Sequence, residues 1–291
     1  VTDPAQEPLN IGEMVLHHTA DAWTIDIDLY FTKLVWHLPR WPDIHIGSLT
    51  INLSPTKHVV FMLLAATIVF LTMWLAARSL RKTRDTGRAP KGFAGVVEAA
   101  VLWVRNEIVL PNIPQGERFA PLIVTLFFFV LVCNLLGLLP WGASPTGNLA
   151  VTGALAAMIF VVIEVGGLLK IGPKAYLRTI FPHFEGLPPV AAIGLSAFMA
   201  PIEVLGKLVK PFALAVRLFG NMTAGHFVIL SLFGIIFIFG KVEGLNWGVG
   251  LITAALVTGI MVLELIVAFL QAYVFALLSS VFIGLMQEEH H

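Results

Sequence analysis

The chain has 291 residues, 57% apolar and 12% charged, with a mean hydropathy of +0.87, whereas soluble domains carry about 25% charged residues; an ordinary water-soluble domain is excluded and a bilayer is predicted as solvent. Eighteen Lys/Arg balance eighteen Asp/Glu, so the zero formal charge argues against a general polyanion or nucleic-acid binder. The single cysteine, Cys133 in Phe-Val-Leu-Val-Cys-Asn, excludes an internal disulfide, a zinc knuckle or a CxxC pair and reads as a small packed hydrophobe.

Residues 1–56 form a separate amino-terminal segment with seven acids and just Lys33 and Arg40 as bases. Residues 1–30 lack a basic start and a long apolar run, so no uncleaved signal peptide is visible. The membrane domain follows over 57–291. Crossing a hydrocarbon layer of roughly 30 Å takes about 20 apolar residues in a helix. Val59 to Ala77 is uncharged and predicts a first span over about 58–78. Residues 92–111 alternate Phe93, Val96, Val97 and Ile108 with Glu98, Arg105 and Glu107; too polar to span, they predict an interfacial amphipathic helix. Phe119 to Trp141 is again uncharged, with Asn134 and Pro140 near its end, and predicts a second span over about 118–140. A third, about 149–170, is interrupted by Glu164, to which no role is assigned, and contains Gly153, Ala154, Ala156 and Ala157, which permit close helix packing in lipid.

Beyond residue 187 the apolar stretches outlast one perpendicular crossing. Spans over about 188–240 and 246–287, joined by the polar turn Gly240 to Asn246, read as a long, slanted antiparallel pair, the first bent or started at Pro201 and Pro211. The fold class is therefore all-α and polytopic, with about five crossing helices. Basic residues mark cytoplasmic loops. Arg78, Arg81, Lys82, Arg84, Arg88 and Lys91 follow the first span, so the amino terminus is predicted outside the cytoplasm. Five crossings then leave Trp141 to Asn148 outside, Lys170, Lys174 and Arg178 inside, and the closing Gln-Glu-Glu-His-His in the cytoplasm.

Ionisable groups at membrane depth cost several kcal/mol unless paired or hydrated, which makes them functional candidates. They cluster in the last two spans as Glu203, Lys207, Lys210, Arg217 and His226, with Asn221 beside them, and Glu264 and Gln271 opposite. In an antiparallel hairpin, Arg217 with Gln271 and His226 with Glu264 straddle one centre at Gly244 or Leu245, so the polar groups fall in two matched layers. At about 100° per residue, Asn221 and Glu203 each lie within about 40° of Arg217, whereas His226 lies about 180° away. The groups thus make two offset pathways separated at Arg217. A guanidinium keeps its charge, so Arg217 blocks a proton relay rather than passing protons along it; His226 and Glu264 can load and unload them.

The run Lys-Pro-Phe-Ala-Leu-Ala-Val-Arg-Leu-Phe-Gly-Asn-Met-Thr-Ala-Gly-His, residues 210–226, resembles the signature of subunit a of F-type ATP synthases. Asn134-Leu-Leu-Gly-Leu-Leu-Pro140, the stretch Glu264 to Tyr273 and the closing Glu-Glu-His are similar to the same family, from about residue 55 onward. The resemblance implies a non-catalytic stator in a bacterial inner membrane. Its implied partners are a rotating ring of c subunits, peripheral-stalk b subunits and, through the complex, the catalytic head; it needs no cofactor. It further implies that Arg217 meets the ring carboxylates with Asn221 beside it. By the same resemblance His226, Glu264, Gln271 and Asn134, with Thr152, belong to an outer half-channel and Glu203 to a cytoplasmic one. Some members carry Glu at the position of His226 and His at that of Glu264; this sequence has the exchanged arrangement, like mitochondrial and alphaproteobacterial forms.

Lys207 and Lys210 keep two readings, cytoplasmic pathway or simple snorkelling. No HExxH accompanies the nine histidines, and the glycines of Gly234 to Lys241 are spaced wrongly for a phosphate loop, with no Ser/Thr after the lysine. A stand-alone secondary transporter or ion channel is the rival reading, with Arg217 binding an anionic substrate; no internal repeat favours it.

Overall fold

A computed structural model of the chain describes residues 22–29, 32–42, 44–46, 49–52, 54–84, 92–114, 116–139, 142–181, 186, 188–239 and 246–286. The turn expected at Gly240 to Asn246 lies outside them, except for Asn246 itself, as do the carboxyl-terminal Gln-Glu-Glu-His-His and the bases Arg88 and Lys91. From Lys57 onward the described structure is helical, as expected: α1 Lys57–Arg84, α2 Phe93–Trp103, α3 Ala120–Gly137, α4 Leu149–Ile180, α5 Pro189–Phe239 and α6 Asn246–Leu285. All but α2 are long and apolar enough to cross a bilayer.

Two antiparallel hairpins, not anticipated from the sequence, precede the helices. β1 Thr24–Leu29 pairs with β2 Thr32–His37, and β3 Ile44–Ile46 with β4 Leu49–Ile51. Their strands carry the β-branched and alternating residues that suit a pleated ribbon, such as Thr-Ile-Asp-Ile-Asp-Leu in β1. The ribbon is tied to the first long helix at its base, where the Lys57 N–H donates to the Ala22 carbonyl at 2.9 Å.

Several helices outlast the apolar runs that predicted them. α1 continues through the basic residues to Arg84, because cations suit the negative end of a helix dipole. α4 continues to Ile180 past a break at Gly172, whose φ of 79° only glycine adopts without strain; Pro173 cannot donate the next helical hydrogen bond. α5 runs through both Pro201 and Pro211, each of which deletes one intrahelical bond without ending the helix. Its 51 residues correspond to about 75 Å of helix axis, and the 40 residues of α6 to about 60 Å. α2 is extended by a π-helical stretch, Val104–Val109, and a closing turn, Leu110–Asn112, matching the segment read as interfacial.

The chain divides into two compact units. The first comprises Val1–Ala66, Leu131–Asn148 and Phe219–Leu270. The second comprises Thr67–Val130, Leu149–Leu218 and Gln271–His291. In the second unit Trp103 of α2 packs at 6.0 Å on Phe127 and 5.8 Å on Tyr273. Gly284 there lies against the Asn112 backbone so closely that any side chain would collide with the Asn112 carbonyl. A four-residue ridge of small side chains on α6, Ala268, Ala272, Ala276 and Ser280, is fully buried, each at 0% exposure. Such a ridge lets helices approach closely where lipid supplies no hydrophobic drive for association.

Candidate functional site

Glu264 lies one turn ahead of that ridge, four residues before Ala268, and Gly225 of α5 lies against it. A Cβ on Gly225 would overlap the Glu264 Oε1 atom and lie 2.8 Å from its Cδ, so the carboxyl group occupies the space that only glycine leaves. Oε1 is buried and has no hydrogen-bond partner among the described residues. A buried carboxyl oxygen without a donor is costly.

His226 follows Gly225 and is half-buried between two backbone carbonyls. Its Nδ1 lies 2.7 Å from the Met222 oxygen, one turn earlier on α5, and its Nε2 lies 2.9 Å from the Gly137 oxygen at the end of α3. Carbonyl oxygens only accept, so both bonds form together when both ring nitrogens carry protons. A ring with one proton keeps one bond and frees the other nitrogen. Because Gly225 precedes His226 and lies against Glu264, the imidazole of α5 and the carboxyl group of α6 stand at neighbouring levels of the two helices.

The end of α3 spaces those two helices. Asn134, at 0% exposure, donates from Nδ2 to the Ala268 carbonyl at 3.1 Å, one turn beyond Glu264. Three residues later on α3, Gly137 supplies the carbonyl that holds His226. Asn134 Oδ1 accepts from the Thr146 hydroxyl at 2.7 Å, and Thr146 shares a 2.7 Å bond with Ser144. Ser144 in turn packs on Gly137 so tightly that a Cβ there would lie 2.5 Å from the Ser144 Cβ. The connector 143–146, expected only as an external loop, is thus buried and works as a clasp. Thr146→Val is expected to strand the Asn134 oxygen and lower stability by about 1–2 kcal/mol, whereas Thr146→Ser keeps the bond. Thermal unfolding of the detergent-solubilised protein separates the two, and equal melting would refute the clasp.

Arg217 presents a different environment. It is exposed, as are Asn221 and Glu203 on the same side of α5, while Leu214, Ala215, Leu218 and Met222 are buried. Helical geometry puts Lys210, Ala213, Ala224 and Val228 on the Arg217 side as well, all exposed. Gly206 and Gly220, near that side, have nothing within 4 Å of where a Cβ would be. Arg217 therefore stands on an open helix face, with the small residues Ala213, Gly220 and Ala224 beside it and the polar Glu203, Lys210 and Asn221 further along or next to it.

Other expected site residues fall elsewhere. Gln271 is half-buried on α6 in the second unit. Thr152 is fully buried and donates to the Leu149 carbonyl at 3.2 Å. Lys207 donates to the Thr179 hydroxyl at 3.1 Å with its ammonium 4.5 Å from the centre of the Tyr176 ring, and Lys210 lies 5.6 Å over Phe282. Both lysines thus have cation–π partners rather than only a route to water. Sequence reasoning missed Ser144, Thr146, Gly137 and Gly225. The polar Ser-Pro-Thr in a charge-free connector was the available signal for the first two; nothing in the sequence distinguished the glycines.

Residues 59–284 match the family model described as ATP synthase A chain. The chain is 41% identical over 279 residues to ATP synthase subunit a 2 of Chlorobaculum tepidum, covering 94% of this chain and 72% of that protein. It is 40% identical to ATP synthase subunit a of Chloroherpeton thalassium, over 94% of this chain and 77% of that protein. Against ATP synthase subunit a of Myxococcus xanthus the identity is 44%, over 87% and 78% respectively.

Proposed function

This chain belongs to the ATP synthase A chain family, and from that premise we propose that Arg217 insulates two proton half-channels while a ring of c subunits turns past it. The chain is a multi-pass bacterial membrane protein and a non-catalytic, proton-transporting subunit of an F-type ATP synthase complex. In the proposed cycle a proton reaches a ring carboxylate by way of His226 and Glu264, with Asn134 and Gln271 on the outer side. Ring rotation carries it through lipid, and it leaves towards the cytoplasm past Glu203. As the carboxylate passes Arg217, the guanidinium favours its ionised form and so forces release of the proton. Moving one charge through 100 mV yields about 2.3 kcal/mol, so several protons per turnover sum to the cost of one phosphoanhydride bond made in the catalytic head.

One observation carries this reading: Arg217 is exposed on an open helix face bordered by Ala213, Gly220 and Ala224, small residues that let a partner helix bring its carboxylate close. A cation left facing hydrocarbon would be expensive, and a partner carboxylate offsets that cost. The offset between this face and His226, about half a helical turn around α5, keeps the two pathways from merging. The amino terminus lies outside the cytoplasm in this scheme, and peripheral-stalk b subunits hold the chain against rotation.

Mild detergent extraction tests the partnership. The chain is expected to co-purify with a ring of small hairpin subunits and a stalk. A chain that purified alone and transported a solute in liposomes would establish the rival transporter.

A further inference from the structure

The segment Trp36-His-Leu-Pro-Arg-Trp-Pro42, which ends β2 and leads towards β3, is used by nothing described above. Trp36 is 65% exposed and Trp41 56%, with Val35 at 49% and Trp23 at 40%. Arg40 is exposed and sits 4.6 Å over the Trp23 ring. Arg40 and Trp23 therefore share one spot of surface, and two further exposed indoles, Trp36 and Trp41, flank Arg40 in the sequence, in a region whose other charges are chiefly acidic.

The stretch is not a loose tail. Leu38 N–H donates to the Trp23 carbonyl at 2.9 Å, and the next described backbone bond, Lys57 N–H to the Ala22 carbonyl, ties the same ribbon to the first residue of α1. Trp41 N–H donates to the Ser54 hydroxyl at 2.9 Å, and the hydroxyl returns a bond to the Trp41 carbonyl at 3.3 Å. The indoles are thus fastened to the point where an apolar helix begins its crossing. Indoles prefer that level, because the ring is apolar and its N–H needs a polar partner.

We propose that residues 36–42 form an interfacial anchor whose Trp36 and Trp41 insert into the lipid headgroup layer on the bilayer face where α1 starts, with Arg40 against lipid phosphate. Continuity with α1 favours lipid as the occupant. A protein strand added at this edge is disfavoured because Pro39 and Pro42 have no N–H to donate. The anchor would fix the rotational and vertical setting of α1.

The intact complex, reconstituted in mixed phosphatidylcholine and phosphatidylglycerol vesicles, supplies the test. The fluorescence of Trp36 and Trp41 is taken as the difference between the native protein and the Trp36→Phe/Trp41→Phe variant. Lipids brominated near the ester are expected to quench this signal about twofold more than lipids brominated near the chain end, as suits an interfacial indole. Equal exposure to an aqueous quencher with no effect of either bromolipid would overturn the proposal. So would efficient cross-linking of a His37→Cys variant to another subunit, which would identify a protein as the occupant. The cysteine variant also covers the case in which the double phenylalanine protein fails to assemble.

Discussion

Arg217→Ala is expected to abolish proton-driven ATP synthesis in the assembled complex, a loss of at least about 100-fold, or about 2.7 kcal/mol of coupling. Arg217 is exposed on α5 and contributes little to packing within this chain, so the variant should fold and join the complex. What it loses is a cation on that open face of α5 that cannot give up its proton. Without it the ring carboxylate stays protonated as it passes, or carries its proton straight from one pathway to the other. Synthesis rates and proton uptake in inverted vesicles measure this, with immunodetection of the chain and its ring as the assembly control. Arg217→Lys is expected to remain strongly impaired, since an ammonium is a point charge that can itself deprotonate. Normal synthesis in Arg217→Ala would remove the gate from the mechanism.

Glu264→Gln should slow passive proton conductance through ring-containing vesicles about 100-fold, the low end of what a positioned proton-transfer group contributes. Glutamine preserves the shape that fills the space beside Gly225, so the helix contact survives while titration does not. A conductance equal to the native one would exclude Glu264 from the pathway. The layer match between His226 and Glu264 adds a sharper expectation. His226→Glu and Glu264→His should each impair conductance alone, and the double exchange should recover part of it, because the pair is defined by depth rather than by which helix carries which group. The His226 bonds to the Met222 and Gly137 carbonyls limit that recovery, since glutamate cannot donate to both.

Much of the architecture followed from the sequence because a bilayer imposes a simple rule: backbone groups must be satisfied internally, so long apolar runs become helices. That rule gave the five spanning helices. The positions of Arg217, His226 and Glu264 along α5 and α6 were equally legible, since helical rise and rotation are fixed by the residue number. The amino-terminal hairpins were not, because short strands in a polar segment lack the uniform apolar signal that marks a span.

The sequence alone determined which charges lie in the long apolar helices, how far apart they stand along each helix, and on which side of the helix relative to one another. Only the tertiary structure decided that Asn134 is consumed in a clasp with Thr146 and Ala268, that Gly137 and Gly225 make room for Ser144 and Glu264, and that His226 bridges two carbonyls. These facts depend on contacts between residues as far apart as 134 positions, which no local periodicity encodes. A glycine reveals its purpose only when the atom that fills the missing side chain's place is known.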